Sequence, residues 1–139
     1  MTPTAQRDIW QRMGMEKGIN PADSAAATIN GTSIERNPSS GRAGAASAVL
    51  HVACGAATGG PSSFTVNGKL QDSADGSTGW ADIGDAITAL TSDDTDGESP
   101  GSNMSNFKAH IRAVIVVAFV GGSTPTIPVA ATVCFGGRD

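Results

Sequence analysis

Apolar residues in this chain recur at every second position over several short runs, the spacing that lays one face of a β-strand on a core. In AASAVLHVAC (45–54), Ala46, Ala48, Leu50, Val52 and Cys54 share one face, while Val49, His51 and Ala53 take the other. In FTVNGKL (64–70), Phe64, Val66 and Leu70 face one way, with Gly68 among them as a bulge or a point of close approach. FKAHIRAVIVVAFV (107–120) puts Phe107, Ala109, Ile111, Ala113, Ile115, Val117 and Phe119 on one side. Its other side begins polar with Lys108, His110 and Arg112 and then turns to Val114, Val116, Ala118 and Val120. That pattern predicts a strand exposed at its start and covered on both faces at its end, long enough to bend or project. TIPVAATVCF (126–135) closes the chain as a last strand, with Pro128 marking an edge or a bulge.

Gly-, Pro- and Ser-rich stretches separate these runs: PSSGRAG (38–44), GAATGGPSS (55–63) and GGSTP (121–125). Asn30-Gly31, between AAATIN and TSIER, predicts a two-residue hairpin. No long amphipathic helix is encoded in the body. The first residues differ: Thr2-Pro3 suits a helix start, Ile9, Trp10 and Met13 fall on one side, and Asn20-Pro21 predicts a break. The expected organisation is therefore an N-terminal arm or short helix over residues 1–22 and an all-β domain over residues 23–139. About eight short strands with long connections favour an antiparallel β-sandwich of jelly-roll type over an immunoglobulin-type one, whose Cys–Trp–Cys core is absent.

Composition sharpens this picture in one respect. The apolar fraction is 39%, but there is no tyrosine, and only four phenylalanines and two tryptophans. A core built from few Val, Ile, Leu and Phe, with 18 glycines to order, predicts a protein that draws part of its stability from partners. The net charge of −4 is unevenly spread: residues 43–107 hold Lys69 alone against eight acids. No Lys/Arg cluster suits phosphate neutralisation, so nucleic acid is not an expected partner. No run approaches the ~20 apolar residues of a membrane helix, and the N-terminus lacks the apolar core of a signal peptide. A membrane partner is not expected either. Cys54 and Cys134 do not make a disulfide framework; buried free thiols are expected, with a bridge between them left open.

Candidate chemistry is sparse. KLQDSADGSTGWADI (69–83) gathers Asp72, Asp75 and Asp82 around glycines and Trp80. Asp75-Gly76 reads as a hairpin turn, in the manner of an aspartate-box hairpin whose acid ties the turn and whose tryptophan pins it to the sheet. SDDTDGESPG (92–101) misses the EF-hand ligand spacing, with Ser92 at the first position and Asn103 at the twelfth, and reads as a solvated loop. His51 and Cys54, three apart on a strand, face opposite sides and cannot share a metal. Neither a Gly-x-Ser-x-Gly elbow nor a phosphate loop is present. The sequence reads as that of a non-enzyme with no cofactor and no metal.

Three stretches, TPTAQRDIWQRMGMEKGIN (2–20), GKLQDSADGSTGWADIGDAITAL (68–90) and FKAHIRAVIVVAFVGGSTPTIPVAATVCFGG (107–137), together resemble the jelly-roll capsid cement (decoration) proteins of tailed bacteriophages. The similarity spans most of the chain and lies in overall pattern. It implies a protein made in the host bacterial cytoplasm and placed on the outer capsid surface of the virion. There it would bind the major capsid protein and join neighbouring subunits, associating with itself as a homodimer in preference to a trimer. The residues singled out for interfaces are Ile9 and Trp10 on the arm, which pack on their own domain or on a neighbour. Lys108, His110 and Arg112 form a row that is a solvated face or meets acidic capsid surface. Other readings are a carbohydrate-binding or lectin-like virion module centred on Trp80, and a tail or connector component.

Overall fold

The structure, a computed structural model, describes residues 14–35, 47–100, 102–103 and 107–136. Regular structure among them is all β: β1 (Gly14–Ser24), β2 (Ala27–Asn30), β3 (Ile34–Glu35), β4 (Ser47–Cys54), β5 (Ser63–Ser73), β6 (Ala81–Ile83), β7 (Asp96–Glu98), β8 (Ser102–Asn103), β9 (His110–Val120) and β10 (Ile127–Gly136). No helix of the described residues is long and apolar enough to cross a membrane.

Two antiparallel sheets face each other. Sheet A runs β1-β10-β4-β7, with β8 also on β4; sheet B runs β2-β9-β5-β6, with β3 also on β9. Because β2 and β3 continue one line along β9, and β7 and β8 one line along β4, the ten pieces amount to eight strands. Along the chain the strands alternate between sheets, save for the β5–β6 hairpin, which is the jelly-roll arrangement expected from the sequence.

Most of the core comes from the inward positions of four long strands, with Ile19, Ile34, Ile87 and Leu90 added from outside them. β4 contributes Ala48, Leu50, Val52 and Cys54, and β5 contributes Phe64, Val66 and Leu70. Ile111, Ala113, Ile115 and Val117 come from β9, and Ile127, Val129, Ala131, Val133 and Phe135 from β10. Burying each of the larger of these is worth about 1.5–3 kcal/mol. Gly68 is the close-approach point of β5, unbulged: a Cβ there would lie 2.6 Å from Val52 Cγ2.

Several sequence expectations are corrected. The Asn30-Gly31 hairpin does not form, since β2 and β3 both pair with β9. Gly31 serves contact between the sheets instead: its N–H bonds Ala113 O, and a Cβ on it would sit 2.2 Å from Gly18 O. The break at Asn20-Pro21 is a register shift within β1, which pairs with β10 from Gly14 onward. The described part of the expected arm is thus an edge strand of the sandwich, whose proline and bulges blunt that edge. Pro128 stands in β10, between β1 and β4, but where the β4 ladder has ended. Gly55 N–H bonds Pro128 O, while Gly55 O, denied a return bond by the proline, accepts from Asp94 N–H. The long strand expected from Phe107 begins at His110. Its far end is covered on one face only: Val114 is buried, but Val116 and Val120 are exposed.

Candidate functional site

The face that carries most chemistry is the outer side of sheet B. Strict alternation along β5 and β9 turns Ser63, Thr65, Asn67, Lys69 and Gln71 outward beside Val120, Ala118, Val116, Val114 and Arg112. The hairpin to β6 sets Asp82 opposite Gln71. One row across three strands therefore reads Asp82, Gln71, Arg112. Arg112 donates through Nε (3.0 Å) and Nη2 (2.8 Å) to Gln71 Oε1, and Gln71 Nε2 donates to Asp82 Oδ1 at 2.8 Å. Lys69 Nζ donates to Asp82 Oδ2 at 3.1 Å. The Arg112 guanidinium lies 4.3 Å from the centre of the Trp80 ring, a cation–π contact. Gln71 and then Lys69 hold the Asp82 carboxyl below the usual carboxylate range. The result is a hydrogen-bonded ladder of two cations, one carboxylate and one amide.

Beyond the ladder, the same face turns from charged to small and apolar side chains, with Lys69 at the boundary. Thr65, Asn67, Lys69, Ala86, Val114 and Val116 line a shallow groove of about 270 Å³, and past it the surface is Val116, Ala118 and Val120.

The sequence-predicted interface row is placed as follows. Lys108 is exposed just before β9, its backbone N–H bonded to Asp72 Oδ2 at 3.1 Å. His110 is half-buried, its Nδ1 3.3 Å from Ser33 Oγ and its ring against Gly76. Arg112 is engaged in the ladder. The three do not form a free row of cations. Ile9 and Trp10 lie outside the described residues. Gln71 and Lys69 were not singled out from sequence, and Asp82 only as one of the acids of the 69–83 stretch, although a hairpin around Asp75-Gly76 already sets residue 71 near residue 82.

The 74–80 segment is a turn built by its own acid. Asp75 Oδ1 accepts from the N–H groups of Ser77 and Thr78, both at 2.8 Å, and Oδ2 accepts from Thr78 Oγ1. Ser73, fully buried, shares its one hydroxyl hydrogen between Asp75 Oδ1 and Thr78 O and accepts from Gly76 N–H. These bonds hold Asp75 well below the usual carboxylate range, Thr78 N–H first and Ser77 N–H second. The acids of 92–101 disperse. Asp93 accepts from Ala57 N–H at 3.0 Å, and Asp96 meets His51 Nε2 at 2.8 Å. In that stretch β7 replaces part of the expected loop. Cys54 and Cys134 are free thiols on opposite faces of sheet A, Cys54 in the core and Cys134 outward; burial pushes the Cys134 thiol up.

With this geometry in place, comparison with known proteins gives a consistent answer about architecture. No protein-family model matches the chain, and no curated protein matches it. Among solved structures it is similar to the PBSX exported protein XepA, at 13% identity with a TM-score of 0.51, over 91% of this chain and 38% of that one. It is also similar to the VP2 subviral particle of infectious bursal disease virus, at 11% identity with a TM-score of 0.54, over 91% of this chain and 33% of that one. The likeness is one of fold, a jelly-roll β-sandwich. The chain spans about a third of the length of either structure.

Proposed function

We propose that this protein is a capsid cement, or decoration, protein that binds the outer surface of a tailed-phage head and joins neighbouring major-capsid subunits. The observation that carries the reading is the outer face of sheet B: a hydrogen-bonded, net-cationic ladder beside an exposed apolar stripe, on a chain whose sequence pattern resembles such proteins. The resemblance includes the jelly-roll cement protein of a Bordetella phage. A preordered ladder loses little side-chain entropy on docking, and an apolar stripe gains by leaving water. In this reading the work is contact, without bond-making, cofactor or metal, and the protein is virion-associated after synthesis in the bacterial cytoplasm.

The deciding experiment is electron microscopy of purified particles, with the protein added back to shells that lack it. Density on the outer surface bridging shell subunits, at a stoichiometry near that of the shell protein, is the expected result. Density confined to the neck or tail would favour a connector component instead. Lys108→Glu should lower occupancy on particles with the fold intact; unchanged occupancy removes Lys108 from the contact. Reversal of Arg112 is a poorer probe, because it also breaks the bonds to Gln71 and the stack on Trp80.

A second reading draws on the half-exposed Trp80 flanked by Gln71, Asp82 and Lys69, the kind of aromatic and polar set that meets a sugar. Two things weigh against it. Arg112 already occupies the Trp80 ring, and the polar groups are bonded to one another. Glycan-array binding that is lost in Trp80→Ala while the fold persists would revive it.

A further inference from the structure

Val116 and Val120 are 38% and 61% exposed, and they are the exposed large apolar side chains among the described residues. Both point outward from β9 with Ala118 between them, and the row before Val116 pairs Val114 with Lys69. β9 is an inner strand, hydrogen-bonded to β2 on one side and β5 on the other. A partner therefore meets this face through side chains, since strand addition has no free backbone to use.

The groove at the head of the stripe has a donor-rich wall. Asn67 and Lys69 are successive outward positions of β5, ~6.8 Å apart. Gly68 N–H bonds Asn67 Oδ1 at 2.8 Å, which fixes the amide's orientation and leaves Nδ2 as the donor end of an exposed side chain. Lys69 Nζ gives Asp82 one of its three hydrogens, and its side chain stays partly exposed. Ala86, Val114 and Val116 supply an aliphatic wall beside them. An ammonium and an amide NH2 against aliphatic carbon are the complement of a carboxylate carried on an aliphatic chain.

Charge points the same way. The described residues carry eleven acids against Lys17, Lys69, Lys108 and Arg112. From the Arg112 row to the Val120 row, β2, β5 and β9 contain no acid. A run of acids on a partner would be repelled by the rest of this body. One carboxylate set among aliphatic side chains would not, since charges more than about 10 Å apart are largely screened. We infer that the groove seats a single carboxylate side chain of the shell subunit, between Asn67 Nδ2 and Lys69 Nζ. Aliphatic neighbours of that carboxylate, at every second residue of an extended segment and so ~6.8 Å apart, then follow the rows of β9 and cover Ala118 and Val120. This seat rests on the cement reading and gives it a point of contact.

The test has two arms. In the first, isotope-labelled full-length protein is titrated with the blocked peptide acetyl-Glu-Thr-Val-Thr-Val-amide, and with its Gln isostere, by NMR. The Glu peptide should shift the Asn67 side-chain signal and the Gly68 and Lys69 backbone signals, and bind about tenfold more tightly than the Gln peptide. Asn67→Asp keeps the oxygen that accepts Gly68 N–H but puts a negative charge where the donor was, and Lys69→Met removes the cation; in both the preference should vanish. Lys17→Met, which removes a cation from the edge of sheet A, should bind as the wild type does. In the second arm the same variants are added to shells that lack the protein, where Asn67→Asp should need about tenfold more protein for equal occupancy. Circular dichroism checks folding, and Lys69→Met carries both arms should Asn67→Asp unfold. Equal affinity for the two peptides, or a preference that survives in folded Asn67→Asp, overturns the inference at the groove. Occupancy on shells unchanged in Asn67→Asp overturns it at the shell while the cement reading stands. A wild type that selects the Glu peptide yet leaves shells bare overturns the cement reading, and with it the shell as the source of the carboxylate.

Discussion

Asp75 is exposed, yet its carboxylate gathers two backbone N–H groups and two hydroxyls, so its ionised form belongs to the folded turn and has no counterpart in the open chain. A carboxyl whose folded pKa is depressed contributes stability that is complete above its unfolded value, near 4, and fades as pH falls below it. Asp75→Ala should therefore melt below the wild type at neutral pH, and the gap should narrow as pH drops under about 4. A gap that stays constant into strong acid would show that the turn does not depend on the charge. The role was legible in the sequence, because Asp before Gly between two alternating runs is local chemistry. Glycines divide differently. Gly68 was readable as a close approach from the inward residues around it. Gly31 was misread as a turn residue, because what requires it, Gly18 on the other sheet, is distant in sequence. A Cβ at 31 would press on backbone oxygens at 2.2 and 2.8 Å, whereas at 68 it meets side chains that can shift. Urea denaturation should place the cost of Gly31→Ala at or above the top of the ~1–3 kcal/mol typical of overpacking, with Gly68→Ala below it; the reverse order would contradict the packing described.

At the scale of elements, legibility tracks how a strand is buried. β4, β5, β9 and β10 announced themselves because each sets one whole face on the core, and alternation is the trace of that. β1 was invisible for the opposite reason: GMEKGINPADS is an edge strand, and Ile19 is its buried large apolar side chain. Its regular structure comes from the β10 ladder, which no local pattern reports. The ladder on sheet B was legible in parts. Lys69 and Gln71 alternate outward, and Arg112 was singled out, but the row Asp82-Gln71-Arg112 needs the register of two strand pairs at once. That row makes a quantitative statement. Trp80→Ala and Arg112→Ala, with the double variant, close a thermodynamic cycle whose coupling should be about 0.5–1 kcal/mol, the range of an exposed cation–π contact. Arg112→Ala alone should cost more than the coupling, since it also strips both bonds from Gln71 Oε1. A coupling near zero would mean that the ring and the guanidinium are neighbours without attraction.

For the whole molecule, the jelly roll was legible because strand number, loop length and the missing Cys–Trp–Cys core excluded alternatives, whereas the uncovered half of β9 was not, since a sequence records that a face is apolar and not what covers it. The two facts meet in stability. Among the described residues the core relies on Val, Ile and Leu with Phe64 and Phe135 and the small Ala48, Ala113 and Ala131, and Val116 and Val120 remain in water when the chain is alone. Such a protein should be modestly stable by itself and gain on assembly, because any partner that binds only the folded form adds stability by mass action. At a free concentration of sites about a hundredfold above Kd the gain is about 2.7 kcal/mol. For a domain of this size that corresponds to roughly 10 °C in melting temperature. Calorimetry of the protein on particles against the protein alone should show the melting point rise on attachment. In Val116→Glu that rise should shrink while the melting point of the free protein hardly moves, because the substituted side chain faces outward. A melting temperature independent of attachment would mean that the apolar face contributes nothing to assembly, and that the large side chains inside the sandwich suffice unaided.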